Sequence, residues 1–242
     1  MTTRPSSLVP LERETLIDKV YNHLSEALRR GEFQLGQAVT LRGLAAMLNV
    51  SPMPVREATA RLVSEGALEV LPNRHLRVPT IDPVQYSALI EARIAVEGHA
   101  AYLAAARIDA RGLKEFDTAN KRLAAATSRR DHPAVMQANQ TVHFAIYRAA
   151  QSPKLLHIIE GLWKQSGPYL ASIEKSMGRR DDMREHDFGA SQHAKIRAAL
   201  AARDSQRARN ELVKDIQSFA RIYQQLLQDR ESSDGRTSTK GK

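Results

Sequence analysis

The sequence predicts a mainly α fold, with an N-terminal winged helix-turn-helix followed by a C-terminal antiparallel six-helix bundle. Three observations predict it. Apolar residues recur at helical spacing through most of the 242 residues, and few windows alternate like strands. Two short capped helices joined by a tight turn precede a strand–turn–strand stretch. Beyond Pro79 and Pro83, long helical stretches are separated by breaks of a few residues, which favours antiparallel neighbours.

Taken in order, residues 1–10 are polar with two prolines and read as a flexible arm. Residues 11–79 form the first domain. Leu16, Val20, Leu24 and Leu28 give a helix over about 12–30, ended by Gly31 and Gly36. Thr40 caps a short helix carrying Leu41, Leu44, Ala45 and Leu48, and Asn49 suits a left-handed stop. Ser51 caps the next helix, with Pro52 in a first turn where its missing N–H costs nothing. That helix carries Val55, Ala58, Leu62 and Val63 and ends at Gly66. Ala67–Leu71 and His75–Val78 then make a two-stranded hairpin about Pro72–Asn73. Residues 82–230 form the second domain, with helices over about 83–107, 110–129, 132–150, 153–177, 181–202 and 204–229. Asp109, Asp131, Ser152 and Asp204 suit its caps. Residues 231–242 lack any apolar side chain and read as a disordered tail.

Composition narrows the function. With no cysteine there is no disulfide, thiolate metal site or cysteine nucleophile. An apolar share of 42% and a charged share of 26% exclude wholesale disorder. The chain has neither a signal-peptide core in MTTRPSSLVPLERETL nor a run near the ~20 apolar residues of a membrane span, so a cytoplasmic location is expected. A net charge of +9 and a pI near 10.0 suggest nucleic acid or an anionic surface. Most of that excess lies in the helical domain, so it is the placement of a few arginines that points to DNA.

The helix at 51–65 would enter a major groove with Ser51, Met53, Arg56 and Glu57 among its early exposed positions. Arginine reads guanine through paired hydrogen bonds to O6 and N7, which suits Arg56. Ser51 stands where a hydroxyl and free backbone N–H groups can hold a phosphate. Arg42 can reach the same groove edge, and Asn73, Arg74 and Arg77 lie on the wing. Arg61 suits ordinary surface pairs with Glu57 or Glu65.

At these residues the chain resembles the GntR family of bacterial transcription regulators. The run LRGLAAMLNVSPMPVREATARLVSEGALEVLPNRHLRV carries the resemblance, above all VSPMPVREA at 50–58, the RLVSEGAL turn and a wing of the form NRxxxV. The resemblance implies that Arg42, Ser51, Arg56 and Arg74 contact DNA. Residues 82–230 are similar to the FCD effector domain of the FadR-type branch, through EARIAVEGHAAYLAA, NQTVHFAIYRAA, LLHIIEGLWKQSGPYL and HAKIRAALAARD.

Within the bundle the informative feature is polar residues on apolar stripes. Asn139 falls within the face of Val135, Val142, Ile146 and Ala149, and His143 lies at its edge. His193 aligns with Ile196 and Leu200. Asp215 interrupts the stripe of Leu212, Phe219 and Ile222. A buried carboxylate needs a partner. Two imidazoles, an amide oxygen and a carboxylate suit a divalent ion, with zinc or nickel favoured over calcium. A buried hydrogen-bond network without an ion is the alternative. The resemblance implies metal ligands at Asn139, His143 and His193, with Asp215 where many relatives carry a histidine; His186 is a substitute ligand. Arg93 either pairs with Glu97 at i,i+4 or grips an effector carboxylate. Trp163, Lys164, Gln165 and Tyr169 are candidates to line a pocket, with Trp163 alternatively in the core.

The expected function is a ligand-responsive transcription regulator, on family analogy a repressor. It would bind a palindromic operator as a homodimer and sense a small organic acid in a metal-containing bundle. The competing expectations are a metal-dependent hydrolase or isomerase using the bundle site, and a charge-driven architectural or membrane-surface protein.

Overall fold

The computed structural model describes residues 15–72, 75–80, 83–177 and 189–237. The expected arm at 1–10 lies outside them.

Helix α1 (Leu16–Arg29) starts later than the apolar spacing suggests, because Thr15 and Asp18 form a reciprocal capping box. Thr15 Oγ1 accepts from Asp18 N at 3.1 Å, and Asp18 Oδ2 accepts from Thr15 N at 3.3 Å. Helix α2 (Leu41–Leu48) is capped by Thr40, whose hydroxyl accepts from Gly43 N at 3.0 Å. It stops at Asn49 with φ +52°. Helix α3 (Pro52–Ser64) follows and buries Val55, Ala58 and Leu62 against α1 and α2.

The wing departs from the expected two-stranded hairpin. Strands β1 (Ala38–Val39), β2 (Glu69–Val70) and β3 (Leu76–Arg77) form an antiparallel sheet in the order β1-β3-β2. Val39 and Val70 both stand opposite Leu76. Two residues are too short a strand to show alternation, so β1 is invisible to periodicity. It pairs because Gly36, at φ +73°, turns the chain back so that its N–H reaches Val78 O at 3.0 Å.

The second region holds helices α4 (Pro83–Arg107), α5 (Ala110–Arg129), α6 (His132–Ala149), α7 (Pro153–Met177), α8 (Ala190–Ala201) and α9 (Ser205–Thr237). Carboxylates of Asp109, Asp131 and Asp204 accept from Gly112, Ala134 and Arg207 N–H at 2.7, 3.2 and 3.0 Å. Ser152 Oγ accepts from Leu155 N at 3.5 Å. Helix α8 starts at Ala190, inside the expected 181–202; residues 181–188 lie outside the described ones. The disordered tail expected from 231 is corrected as far as Thr237, where the backbone stays helical. No proline interrupts it, and Gly235 costs only about 1 kcal/mol.

Helix α4 packs on α9 and α5 on α6, with α8 against α9. Phe116, Leu123, Ile146, Ile159, Ile173, Ile196 and Leu212 fill the space between them. Each such burial contributes about 1.5–3 kcal/mol. A separate cluster built on Val20, Leu28, Val55 and Leu62 serves the first region. Among the described residues, no helix is long and apolar enough to cross a membrane.

Candidate functional site

Two candidate surfaces of different kinds emerge. On the first, Arg42, Ser51, Met53 and Arg56 all stand exposed at the starts of α2 and α3. Neither Arg42 nor Arg56 has an ion-pair partner among the described residues. Ser51 occupies the N-cap of α3 with extended backbone, yet its side chain makes no cap bond, contrary to the expected cap. The cause is local: Pro54 sits where a third-residue N–H would meet that hydroxyl. Pro52 removes a second donor, leaving the N–H groups of Ser51 and Met53 and a free hydroxyl for an anion.

Arg61 does not pair along its own helix as expected. It reaches Asp18 at 3.1 Å and stacks 3.8 Å above the Tyr21 ring. Arg77 is tied to Glu69 across the wing at 2.7 Å. Asn73 and Arg74 lie outside the described residues.

The second candidate is inside the bundle. Ligand atoms of His143 on α6, His193 on α8 and Asp215 on α9 all lie within 4.8 Å of one another. All three residues are buried, His143 more fully than its place at the edge of a stripe suggests. His143 Nε2 is 3.3 Å from Asp215 Oδ2, and His193 Nε2 is 3.8 Å from Asp215 Oδ1. Asn139, one turn before His143, is buried, and its Oδ1 has no hydrogen-bond partner among the described residues; the same holds for Asp215 Oδ1.

The outer hydrogen bonds assign the imidazole protons. Tyr147 Oη donates to the Glu97 carboxylate, so the same oxygen must accept from His143 Nδ1, 3.0 Å away. His193 Nδ1 is 3.1 Å from the acceptor Asn120 Oδ1. Both rings therefore hold a proton at Nδ1 and turn Nε2, a lone pair, toward the same carboxylate. Acceptors facing acceptors in a buried site repel unless protons or a cation lie between them. Burial pushes the Asp215 carboxyl up, but with a proton on the facing Nε2 atoms the hydrogen bond from His143 and the charges of His193 and His143, joined by that of Arg93, outweigh it. Its pKa lies below the ordinary aspartate value. Gly189 (φ +84°) borders the cluster, and a Cβ there would stand 3.2 Å from Asp215 Oδ1 and 3.3 Å from His193 Nε2.

Arg93 and Glu97 are joined to this cluster. Arg93 Nε and Nη2 donate to Glu97 Oε1 and Oε2 at 2.7 and 3.2 Å, both side chains being buried. The guanidinium also lies 5.2 Å from the Trp163 ring centre. Burial opposes its charge, but Glu97 dominates and raises its pKa. Burial, then Glu97, holds the Tyr147 hydroxyl protonated. A continuous polar chain thus runs Arg93–Glu97–Tyr147–His143–Asp215.

Sequence reasoning missed Tyr147 and Asn120, which orient the two imidazoles. Tyr147 was findable, four residues after His143 on the same helix face. Asn120 was not, because its partner lies 73 positions away. Trp163 and Tyr169 are buried in the core, whereas Lys164 and Gln165 turn to α3 instead of lining a bundle pocket.

Known proteins give a consistent picture. Residues 16–78 match the bacterial regulatory proteins of the gntR family, and residues 88–218 match the FCD domain. The HTH-type transcriptional regulator McbR of Escherichia coli (strain K12) is 30% identical over 216 residues, 89% of this chain and 96% of that one. A "Probable D-xylose utilization operon transcriptional repressor" of Paenarthrobacter nicotinovorans is 28% identical, over 86% of this chain and 89% of that one. The solved structure of E. coli McbR/YncC superposes with a TM-score of 0.79 at 30% identity, over 88% of this chain and 99% of that one.

Proposed function

We propose, from the premise that the chain belongs to the GntR family of bacterial regulators and carries an FCD domain, a metal-assisted, effector-responsive mode of action for it. The coarser statement is plain. The protein is a DNA-binding transcription regulator, and its relatives are regulators rather than enzymes, so the hydrolase or isomerase expectation falls away.

The finer reading is a homodimeric repressor that binds a palindromic operator and releases or tightens it when the bundle takes up a small organic acid. Arg42, Ser51, Met53 and Arg56, with Asn73 and Arg74 of the wing, are its proposed DNA contacts. The single observation that carries the sensing half is the convergence of His143, His193 and Asp215 ligand atoms within 4.8 Å. With Asn139 they fit a divalent ion: two neutral imidazoles, one carboxylate and one amide oxygen, each imidazole oriented by an outer partner. Nitrogen-rich donors suit zinc or nickel. When bound, the ion would supply a Lewis-acidic anchor for an effector oxygen. Arg93 would meet the acid with the N–H groups that Glu97 leaves over, and Glu97 keeps the guanidinium charged and fixed. Domain limits near 79–82 separate the two functions in this reading.

Elemental analysis of untagged protein tests the metal. Near one equivalent of zinc or nickel per chain is expected, with Asp215→Ala losing it. Less than about one tenth of an equivalent after soaking would sink the metal-containing mode. Operator capture from upstream intergenic DNA, with Arg56→Ala as control, tests the DNA half.

A further inference from the structure

Helix α7 touches both halves of the molecule with consecutive residues. Trp163 faces the bundle cluster, its ring centre 5.2 Å from that of His143 and 5.2 Å from the Arg93 guanidinium. Lys164, next in the chain, faces the other way. Its ammonium donates to Tyr21 Oη at 2.7 Å and to Glu65 Oε2 at 2.5 Å. Tyr21 Oη in turn donates to Glu65 Oε1 at 2.7 Å, and Gln165 Nε2 donates to the Glu65 carbonyl at 3.0 Å. Glu65 is the C-cap of α3.

One turn on, α1 rests on bare backbone. A Cβ on Gly167 would stand 2.0 Å from the Leu28 carbonyl oxygen and 2.7 Å from that of Arg29. Beside that contact a cleft of about 260 Å³ opens between Glu26 and Arg29 of α1, with its C-cap Arg30, and Gln140, Phe144 and Arg148 of α6. The first region thus meets the bundle at a close backbone contact on α7 beside an open cleft, held by the half-buried Lys164–Tyr21–Glu65 triad and by Gln140 Nε2, which donates to the Glu26 carboxylate at 3.2 Å. Only 5% of the Lys164 side chain is exposed. Removing Glu65 strands the buried Lys164 ammonium, so the triad favours the one arrangement in which that charge is matched.

We propose that Lys164 is a positioning residue for α3. Through Glu65 and Tyr21 it sets the angle at which that helix is carried on the bundle, with Gly167 as the fulcrum. Because Trp163 adjoins it, a change at His143 or Arg93 reaches α3 through a fraction of one helical turn. This rests on the reading of α3 as the DNA-reading helix and deepens the regulation proposed for the bundle cluster.

The absence of cysteine makes the test direct. Spin labels at Ala60→Cys on α3 and Ala124→Cys on α5, both exposed, report the angle in the full chain diluted with unlabelled protein. The wild-type background gives one narrow distance distribution. Lys164→Met, and Glu65→Gln should Lys164→Met fail to fold, broaden or shift it while helical circular dichroism stays unchanged; Lys164→Arg keeps it narrow. An unchanged narrow distribution in both disruptive variants overturns the proposal. Zinc content of the same samples is read separately. A wild type that binds no zinc counts against the metal reading, while the distance result still decides the role of Lys164.

Discussion

The first region keeps its working polar groups outside an apolar core, and the bundle keeps its own inside. Around α1, α2 and α3 the buried polar residues among those described are Ser25 and Thr59, and Thr59 donates back only to carbonyls of its own helix, Val55 at 2.8 Å and Arg56 at 3.1 Å. In the bundle, Arg93, Glu97, Asn139, His143, His193 and Asp215 are all buried. The difference suits the partners proposed for the two regions. A DNA duplex is large and polyanionic and can only be met at a surface, where an arginine costs nothing to keep solvated. A small acid or a metal ion can be enclosed, and enclosure strengthens each interaction but makes each unmatched group expensive. Changes on the surface should therefore alter binding and leave stability alone. Changes in the interior should alter both.

The largest expected effect is at Asp215. Asp215→Ala strands the positive charge, metal ion or imidazole proton, that the buried carboxylate balances, and should lower unfolding stability by about 3–5 kcal/mol in urea titrations. Metal uptake should fall to background in the same variant. A stable, metal-loaded Asp215→Ala would erase the contrast between the two regions. Arg56→Ala is the surface counterpart. It should weaken operator binding by about 1–3 kcal/mol, roughly 5- to 150-fold, with no change in melting temperature. A loss of stability there would show that α3 is not purely a presenting surface. Tyr147→Phe sharpens the interior side. It strands the His143 Nδ1–H and takes one of two donors from Glu97 Oε2, so about 1–3 kcal/mol of stability should go, while operator binding by the first region stays as it was.

The smallest effect concerns the junction between the regions. Burial pushes the Glu26 carboxyl up, but Arg29, Gln140 and Arg30 outweigh it and hold its pKa below the ordinary glutamate value. A depressed folded pKa contributes stability that is present above the unfolded value, near 4.3, and lost as pH falls through the lower folded value. Wild type should thus lose a little stability between about pH 5 and pH 3 that Glu26→Gln does not. Parallel slopes in the two proteins would exclude the Glu26 contact from the junction's stability.

Much of this was legible in the sequence where local chemistry decides. Thr40, Asn49, Asp109, Asp131 and Asp204 mark helix ends because each acts within a few residues of itself, and all five do so in the folded chain. Asn139, His143, His193 and Asp215 stand out because a polar residue on an apolar stripe is a local contradiction. Strand β1 did not show, since two residues carry no period. The cap expected of Ser51 failed through a proline three residues on, a local effect that the cap preference alone overlooks.

What the sequence by itself determined is therefore the set of parts: a mainly α chain, three helices and a wing, six more helices, exposed arginines at the starts of α2 and α3, and four polar residues aimed inward. Only the tertiary structure decided their partners. It drew Arg61 to Asp18 and Tyr21, closed Glu97 onto both Arg93 and Tyr147, set Asn120 behind His193, and sent Lys164 across to Glu65. The physical reason is range. Helical period and capping act over a few residues, whereas which nitrogen of an imidazole is left bare depends on a side chain 73 positions away, brought near by packing alone.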